Sequence, residues 1–220
     1  MKAVVILSGG QDSVTCLFWA IREYGAGNVC AIGFDYNQRH KAELDFARAI
    51  CKDYCVPFSV LSLPLMPELG SNALTNLDMP VDVEKPTDAP PNTLVEGRNM
   101  LFLTYAAIYA KTREIKVLVT GVSESDFSGY PDCRDVFVKA ANVALNLAVD
   151  FPLVVETPLM WLDKAAVWKL AYDLGVLDIV RAKTLTCYNA IVGDGCGDCP
   201  ACFLRRRGFD EFVKRYGVEL

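Results

Sequence analysis

The stretch Ile6 to Cys16 reads ILSGGQDSVTC: an aliphatic run breaks into Ser8-Gly9-Gly10 and then carries Asp12 and Ser13 into a helical pattern. Adjacent glycines are costly to order, but they allow positive φ and a close approach of backbone to ligand. At a strand-to-helix junction the first helical amides face outward and the helix dipole favours an anion. Ser8 and Ser13 add hydroxyl donors. Asp12 repels a bare phosphate, so its carboxylate points to a Mg²⁺ bridge. The lysine of a G-x-x-x-x-G-K-[ST] loop is missing, which excludes that ATPase class. A plain strand-to-helix turn with a capping residue is the alternative reading.

Near the other end, Cys187, Cys196, Cys199 and Cys202 form C-x₈-C-x₂-C-x₂-C, with Gly193, Gly195 and Gly197 among them. Four thiolates so close, with glycines for tight turns, match a tetrahedral zinc site with no open coordination position, hence a structural one. An iron–sulfur cluster is the rival occupant. The other five cysteines fall mostly on apolar faces, where a small buried hydrophobe is the simpler reading.

Between these ends, three loops carry polar groups. Asp35-Tyr36-Asn37-Gln38-Arg39-His40 follows an apolar run. Gly97-Arg98-Asn99 opens a helix, where Arg98 can reach an anion. GVSESDFSGYPDCR, residues 121–134, sets Asp126, Tyr130, Asp132 and Arg134 around Gly129 and Pro131. Carboxylates beside an aromatic ring suit a flat heterocycle with ring N–H donors. Lys164, after Thr157-Pro158-Leu159, can neutralise phosphate or pyrophosphate. For each loop a solvated turn or surface charge is the competing reading.

The elements that must position these residues follow from periodicity. Lys2–Leu7, Val29–Phe34 and Phe58–Leu63 read as buried strands, and Asp12–Tyr24 and Lys41–Tyr54 as helices with one apolar face. Helices at Arg98–Lys111, Asp135–Val149 and Lys164–Leu174 alternate with strands at Val117–Thr120 and Leu153–Glu156. This alternation predicts a doubly wound parallel α/β sheet. Ligands of such sheets sit beyond the strand carboxyl ends, so the loops at 8–13, 35–40 and 121–134 should share one mouth. Residues 64–91 hold six of the eleven prolines and little periodicity, which predicts a surface insertion that serves as a lid. A basic helix is expected from about Phe203 to Arg215. The division is residues 1–183 for the α/β domain and 184–220 for a small metal module and helix.

The 220 residues suit one medium domain with an appendage, and 22% charged residues exclude a disordered chain. No stretch approaches the ~20 apolar residues of a membrane span, and Ala3–Leu7 is too short for a signal-peptide core. The expectation is a cytosolic protein. Nine cysteines, an odd number, without an export signal argue against a disulfide framework. A net charge of −5 gives no general attraction to nucleic acid. His40 is the one histidine, so mechanisms needing two are excluded.

S-G-G-x-D-S resembles the signature of the ATP pyrophosphatase (PP-loop) superfamily. The ordered series SGGQDS, FDYNQRH, GRN, SGYPDCR, ETPLMWLDKA and TCYN…GDGCGDCPAC, from Val4 to about Arg205, resembles the 7-cyano-7-deazaguanine synthase family. The resemblance implies a Rossmann-like sheet of the adenine nucleotide alpha hydrolase type with a small C-terminal zinc-binding helical module. It also implies an ATP-dependent C–N ligase of queuosine biosynthesis that adenylates 7-carboxy-7-deazaguanine and lets ammonia displace AMP. By the same resemblance Leu7, Ser8, Gly9, Gly10, Gln11, Asp12, Ser13, Val14, Thr15, Cys16 and Leu17 form the ATP-binding stretch. Asp12 helps hold Mg²⁺, and Arg98 and Lys164 offset developing charge. Asp126, Tyr130, Asp132 and Arg134 recognise the substrate, with Arg39 and His40 beside them. Zinc is bound by the four cysteines, the partners are small molecules rather than nucleic acid or membrane, and the assembly is a homodimer. Two residues depart from the family pattern. Asn37 stands where glycine is expected, and asparagine tolerates the left-handed region better than most residues. Glu96 replaces a proline and brings a carboxylate toward the nucleotide site. Other readings are a PP-loop tRNA thiolase and a non-catalytic nucleotide-binding zinc module. The first needs a tRNA surface and a free thiol, and the second binds ATP without forming AMP.

Overall fold

In the computed structural model, which describes residues 1–38, 41–63, 72–76, 78–82, 91–125 and 130–218, five strands form one parallel sheet. They are β1 (Ala3–Ile6), β2 (Val29–Asp35), β3 (Phe58–Ser62), β4 (Val117–Val119) and β5 (Val154–Glu156), in the order β3-β2-β1-β4-β5. β1 pairs with β2 from Ala3↔Val29 to Ile6↔Ile32 and with β4 from Ala3↔Val117 to Val5↔Val119. Both central strands are almost wholly buried, which is why their sequences are apolar without alternation. The chain steps outward from β1 to one side and then returns to build the other. That reversal is the topological switch, and it opens a crevice beyond the carboxyl ends of β1 and β4.

Among the described residues there are seven α-helices: α1 (Gln11–Tyr24), α2 (Ala42–Asp53), α3 (Arg98–Lys111), α4 (Asp135–Val149), α5 (Lys164–Asp173), α6 (Leu177–Lys183) and α7 (Pro200–Tyr216). One core joins α1, α5, α6 and α7 to the sheet through Leu17, Trp168, Val180 and Phe212. The second joins α3 and α4 through Leu103, Ala107, Leu118 and Leu145. Two expectations change. α6 begins two residues after Gly175 (φ 71) and lies outside the expected elements, because seven residues carry too little periodicity to register. α7 begins at Pro200 rather than near Phe203, since Cys199 caps it and proline suits a first helical position, so Cys202 sits on its first turn.

The C-terminal segment is packed into the α/β body. Phe212 is fully buried in the first core, and the Trp168 indole donates to the Arg205 carbonyl at 3.3 Å. Arg205 is 3% exposed and donates to the Thr184 and Thr186 hydroxyls and the Val180 and Arg181 carbonyls at 2.9–3.1 Å. The described part of the 64–91 stretch forms turns, and Asn72 and Ala73 are buried rather than on the surface.

Candidate active site

The Gly-Gly turn is held by its serines. The Ser8 and Gly9 amides donate to Ser13 Oγ at 3.2 and 3.3 Å, the Gly10 amide donates to Ser8 Oγ at 3.3 Å, and Ser13 Oγ donates to the Gly10 carbonyl at 3.1 Å. Gly9 has φ 95, and a Cβ there would lie 2.2 Å from the Glu43 carbonyl oxygen, so only glycine lets the loop lie on the start of α2. Gly10 is the N-cap of α1 and has no side chain to satisfy the first turn. Among the described residues the Asp12 and Ser13 amides have no hydrogen-bond partner. The result is a concave set of N–H donors at a positive helix end, which is an anion site. Gly121, just after β4, packs against the Asp12 backbone, where a Cβ would sit 3.1 Å from its carbonyl carbon.

Above this loop lies a cavity of about 350 Å³, whose described lining includes Leu7, Ser8, Gly10–Ser13, Tyr36, Gln38, Gly121–Ser123, Tyr130 and Leu185–Tyr188. The three loops expected to share a mouth each contribute described residues to it. Leu74 also lines the cavity, so the described insertion covers part of it.

The anticipated site residues fall into groups. Leu7, Ser8, Gly10, Gln11, Asp12 and Ser13 line the cavity, whereas Val14, Thr15, Cys16 and Leu17 are fully buried on the other faces of α1 and serve the core. Lys164, first residue of α5, places Nζ 2.7 and 2.9 Å from the two Asp12 carboxylate oxygens. Asp163 fixes it by capping α5, accepting from the Ala166 amide at 2.8 Å. Gly208 of α7 lies so close that a Cβ would meet Lys164 Cβ at 2.4 Å. Arg98 lines the cavity, follows Gly97 at φ 69 and donates from Nη1 to the Tyr36 hydroxyl at 3.2 Å, while its buried Nε has no partner. Burial acts against the Arg98 charge, but Tyr36, Tyr130 and Asp132 outweigh it and hold the guanidinium charged. Tyr130 lines the cavity, its hydroxyl 2.6 Å from Thr93 Oγ1. Asp132 is 8% exposed and accepts the Asn99 amide at 3.0 Å, so its carboxylate caps α3. Arg134 is exposed and outside the cavity lining. Asp126, Arg39 and His40 lie outside the described residues.

The two departures resolve simply. Asn37 adopts φ 61, and its side-chain oxygen accepts from Lys41 Nζ at 3.0 Å. Glu96 is exposed and does not line the cavity, so no new carboxylate enters there.

One residue of the expected ATP-binding stretch, Gln11, stands out, and Glu43 and Tyr188 lie outside every expected site. The Gln11 side chain is 2% exposed with both amide atoms unpartnered. Buried orphan groups of this kind are costly, about 1–3 kcal/mol each, and call for a ligand or water. Glu43, Gln38 and Tyr188 also line the cavity. Burial pushes Glu43 up to about 7, and likewise raises the Tyr188 phenol. An acid beside the apolar face of α2 and a tyrosine directly after a cysteine ligand were the available signals.

The four cysteine sulfurs lie within 4.8 Å of one another, a spacing that fits one metal ion. The donor set is charge-split. Amide hydrogen bonds from Asp198 and Cys199 pull Cys196 down to about 6, whereas burial pushes Cys202 up to about 12. Four thiolates held this close need a cation. Gly195, at φ 75, leaves room for Cys202 Sγ, which a Cβ would meet at 2.2 Å. The segment reaches the anion loop: the Leu185 amide donates to the Gly9 carbonyl at 3.0 Å and the Gln11 amide to Thr186 Oγ1 at 3.2 Å.

Comparison with known proteins gives a consistent family. The model of the family described as queuosine biosynthesis protein QueC matches residues 2–213. A Clostridium acetobutylicum protein named 7-cyano-7-deazaguanine synthase is 60% identical over 215 residues, 98% of this chain and 96% of that one. One of the same name from Clostridium botulinum (strain ATCC 19397 / Type A) is 57% identical over 215 residues, 98% and 97% of the two chains. Among solved structures, the NH3-dependent NAD synthetase of Campylobacter jejuni aligns over 81% of this chain and 67% of its own, at 17% identity and a TM-score of 0.49.

Proposed function

The chain belongs to the queuosine biosynthesis protein QueC family and is an enzyme making 7-cyano-7-deazaguanine; from that premise we propose that it does so by adenylating 7-carboxy-7-deazaguanine with ATP and admitting ammonia. The observation carrying this route is the anion loop at the floor of a cavity that also holds Arg98. A carboxylate oxygen is a poor leaving group and must be activated. Its attack on the α-phosphate expels pyrophosphate, which the Asp12 and Ser13 amides of the first turn of α1 receive, with Ser8, Gly9 and Gly10 shaping the cradle around it. Ammonia displaces AMP to give the amide. A second adenylation of the amide oxygen, followed by loss of AMP, gives the nitrile. No covalent enzyme nucleophile is needed, so catalysis is positioning and charge stabilisation.

Arg98, Tyr130 and the Gln11 carboxamide supply complementary polar groups for the heterocycle and its carboxylate. Asp126, Asp132 and Arg134 belong to the same loop as Tyr130 and are the remaining candidates for substrate recognition, with Arg134 outside the described cavity lining. Lys164 holds Asp12 and adds positive charge beside the pyrophosphate. A Mg²⁺ ion fits at Asp12, whose side chain is 33% exposed and retains free lone pairs; bound with ATP, it neutralises phosphate charge. The metal of the cysteine cluster is zinc, with all four positions taken by protein and therefore structural. Residues 1–183 carry nucleotide and substrate, and residues 184–220 carry the metal and one wall of the cavity. The enzyme acts as a cytoplasmic homodimer on small molecules, not on nucleic acid. No helix of the described residues is long and apolar enough to cross a membrane.

The test incubates the protein with 7-carboxy-7-deazaguanine, Mg-ATP and ammonium and follows base and nucleotide by mass spectrometry. Nitrile with AMP is the expected result. Nitrile with ADP would keep the product and overturn adenylation. An unchanged base would redirect attention to tRNA thiolation.

A further inference from the structure

Glu43 is a cavity carboxyl to which the adenylation route assigns no part. It lies on the first turn of α2, directly beneath the anion loop, because Gly9 lets the loop touch the Glu43 carbonyl. Its carboxylate is oriented by Gln38. That side chain is itself fixed at both ends: its oxygen accepts the Tyr36 amide at 2.9 Å, and its nitrogen donates to the Phe34 carbonyl at 3.0 Å and to Glu43 Oε1 at 3.3 Å. Glu43 Oε2 accepts no hydrogen bond and Glu43 has no ion-pair partner within 4 Å among the described residues. A partly buried carboxylate oxygen that faces a cavity without a partner is a place for a small cationic donor.

The geometry points to Glu43 as the group that binds ammonium in the cavity and takes its proton, so that neutral ammonia attacks the adenylated carboxyl carbon; this rests on the adenylation reading above. Ammonium predominates at neutral pH and has no lone pair, so the co-substrate must lose a proton where it reacts. The groups facing Glu43 among the described residues are Arg98 from α3, Tyr36 at the end of β2 and the neutral Gln38. Burial raises its proton affinity, while Gln38 and Arg98 act in the opposite sense, leaving the carboxyl near 7. A base of that strength exchanges protons readily near neutrality. The step balances. Ammonium gives one proton to the Glu43 carboxylate. The nitrogen lone pair forms the C–N bond, the bond from that carbon to the phosphate-bearing oxygen breaks, and AMP leaves with its electron pair. The new amide nitrogen sheds one proton to water, and Glu43 passes the proton it took to water as well, which restores its carboxylate.

The decisive variant is Glu43→Gln in the full metal-loaded chain, read in three assays. Pyrophosphate–ATP exchange, dependent on 7-carboxy-7-deazaguanine and without ammonium, should stay within about twofold of the unsubstituted protein. kcat/KM for ammonium at pH 7 should fall about a hundredfold, the usual weight of a proton-transfer group, and recover as rising pH supplies free ammonia. Hydroxylamine, neutral at pH 7, should still yield hydroxamate at close to the original rate. Glu43→Asp, which keeps the carboxyl, should lose ammonium use only partly. Loss of exchange in both variants would make Glu43 a substrate-recognition or loop-shaping residue and overturn the inference. Equal losses with ammonium and hydroxylamine would overturn it as well. Absence of exchange in the unsubstituted protein would overturn the adenylation reading and this inference with it.

Discussion

The anion loop and the cysteine cluster are both glycine-rich sites, yet they are built from opposite materials. The loop presents backbone amides, with Ser8 and Ser13 bonded to the turn itself, and its ligand-binding groups exist before any ligand arrives. The cluster presents side chains, and its glycines only clear space for sulfur. The first is preorganised for a ligand that comes and goes. The second brings together four thiols whose charges oppose one another until a cation is present. Damage to the loop should therefore cost activity more than stability, and damage to the cluster should cost stability first.

The largest effect expected from this contrast is on turnover. Asp12→Ala should lower kcat by about a hundredfold or more, as for loss of a charge-positioning group, with bound metal and Tm nearly unchanged; steady-state kinetics and metal analysis check this. Near-normal turnover would remove Asp12 from the chemistry. Cys199→Ser should reverse the pattern, losing the metal and lowering Tm by about 10 °C, as expected when a structural ion is removed. A metal-free variant with full stability and activity would break the comparison. Acid-base behaviour gives a smaller effect. Glu43 binds its proton more tightly folded than unfolded, at about 7 against 4.5. Its stabilising contribution is thus complete below 4.5 and is lost as pH rises through about 7. Glu43→Gln should flatten that part of the Tm-versus-pH curve, which calorimetry resolves. Smallest is Asn37→Gly: relief at φ 61 is offset by loss of the Lys41 hydrogen bond, and Tm should move by no more than about 2 °C.

How far these regions were legible from sequence follows the same division. The Gly-Gly turn and the cysteine spacing are local patterns, and both occupy the positions their chemistry required. The strands were visible because burial on two faces leaves long apolar runs. Glu43 lies outside every expected site, and the burial of Gln38 and Gln11 shows only in the folded chain. Asp132 shows the converse. Its loop pattern points to substrate recognition and gives no sign that Asp132 also accepts the Asn99 amide at the start of α3. Arg205 falls within the expected basic helix, yet it is buried beneath four acceptor oxygens.

The two hydrogen bonds joining Leu185 and Thr186 to Gly9 and Gln11 carry a consequence for how the molecule is made. During synthesis the N-terminal part emerges and begins to fold first. The anion loop is translated before its partners, which lie about 175 residues later in the chain. A nascent chain can therefore form the central strands while the loop still lacks its far wall. The anion loop leaves the ribosome before the cysteine segment, yet it is finished only when that segment arrives.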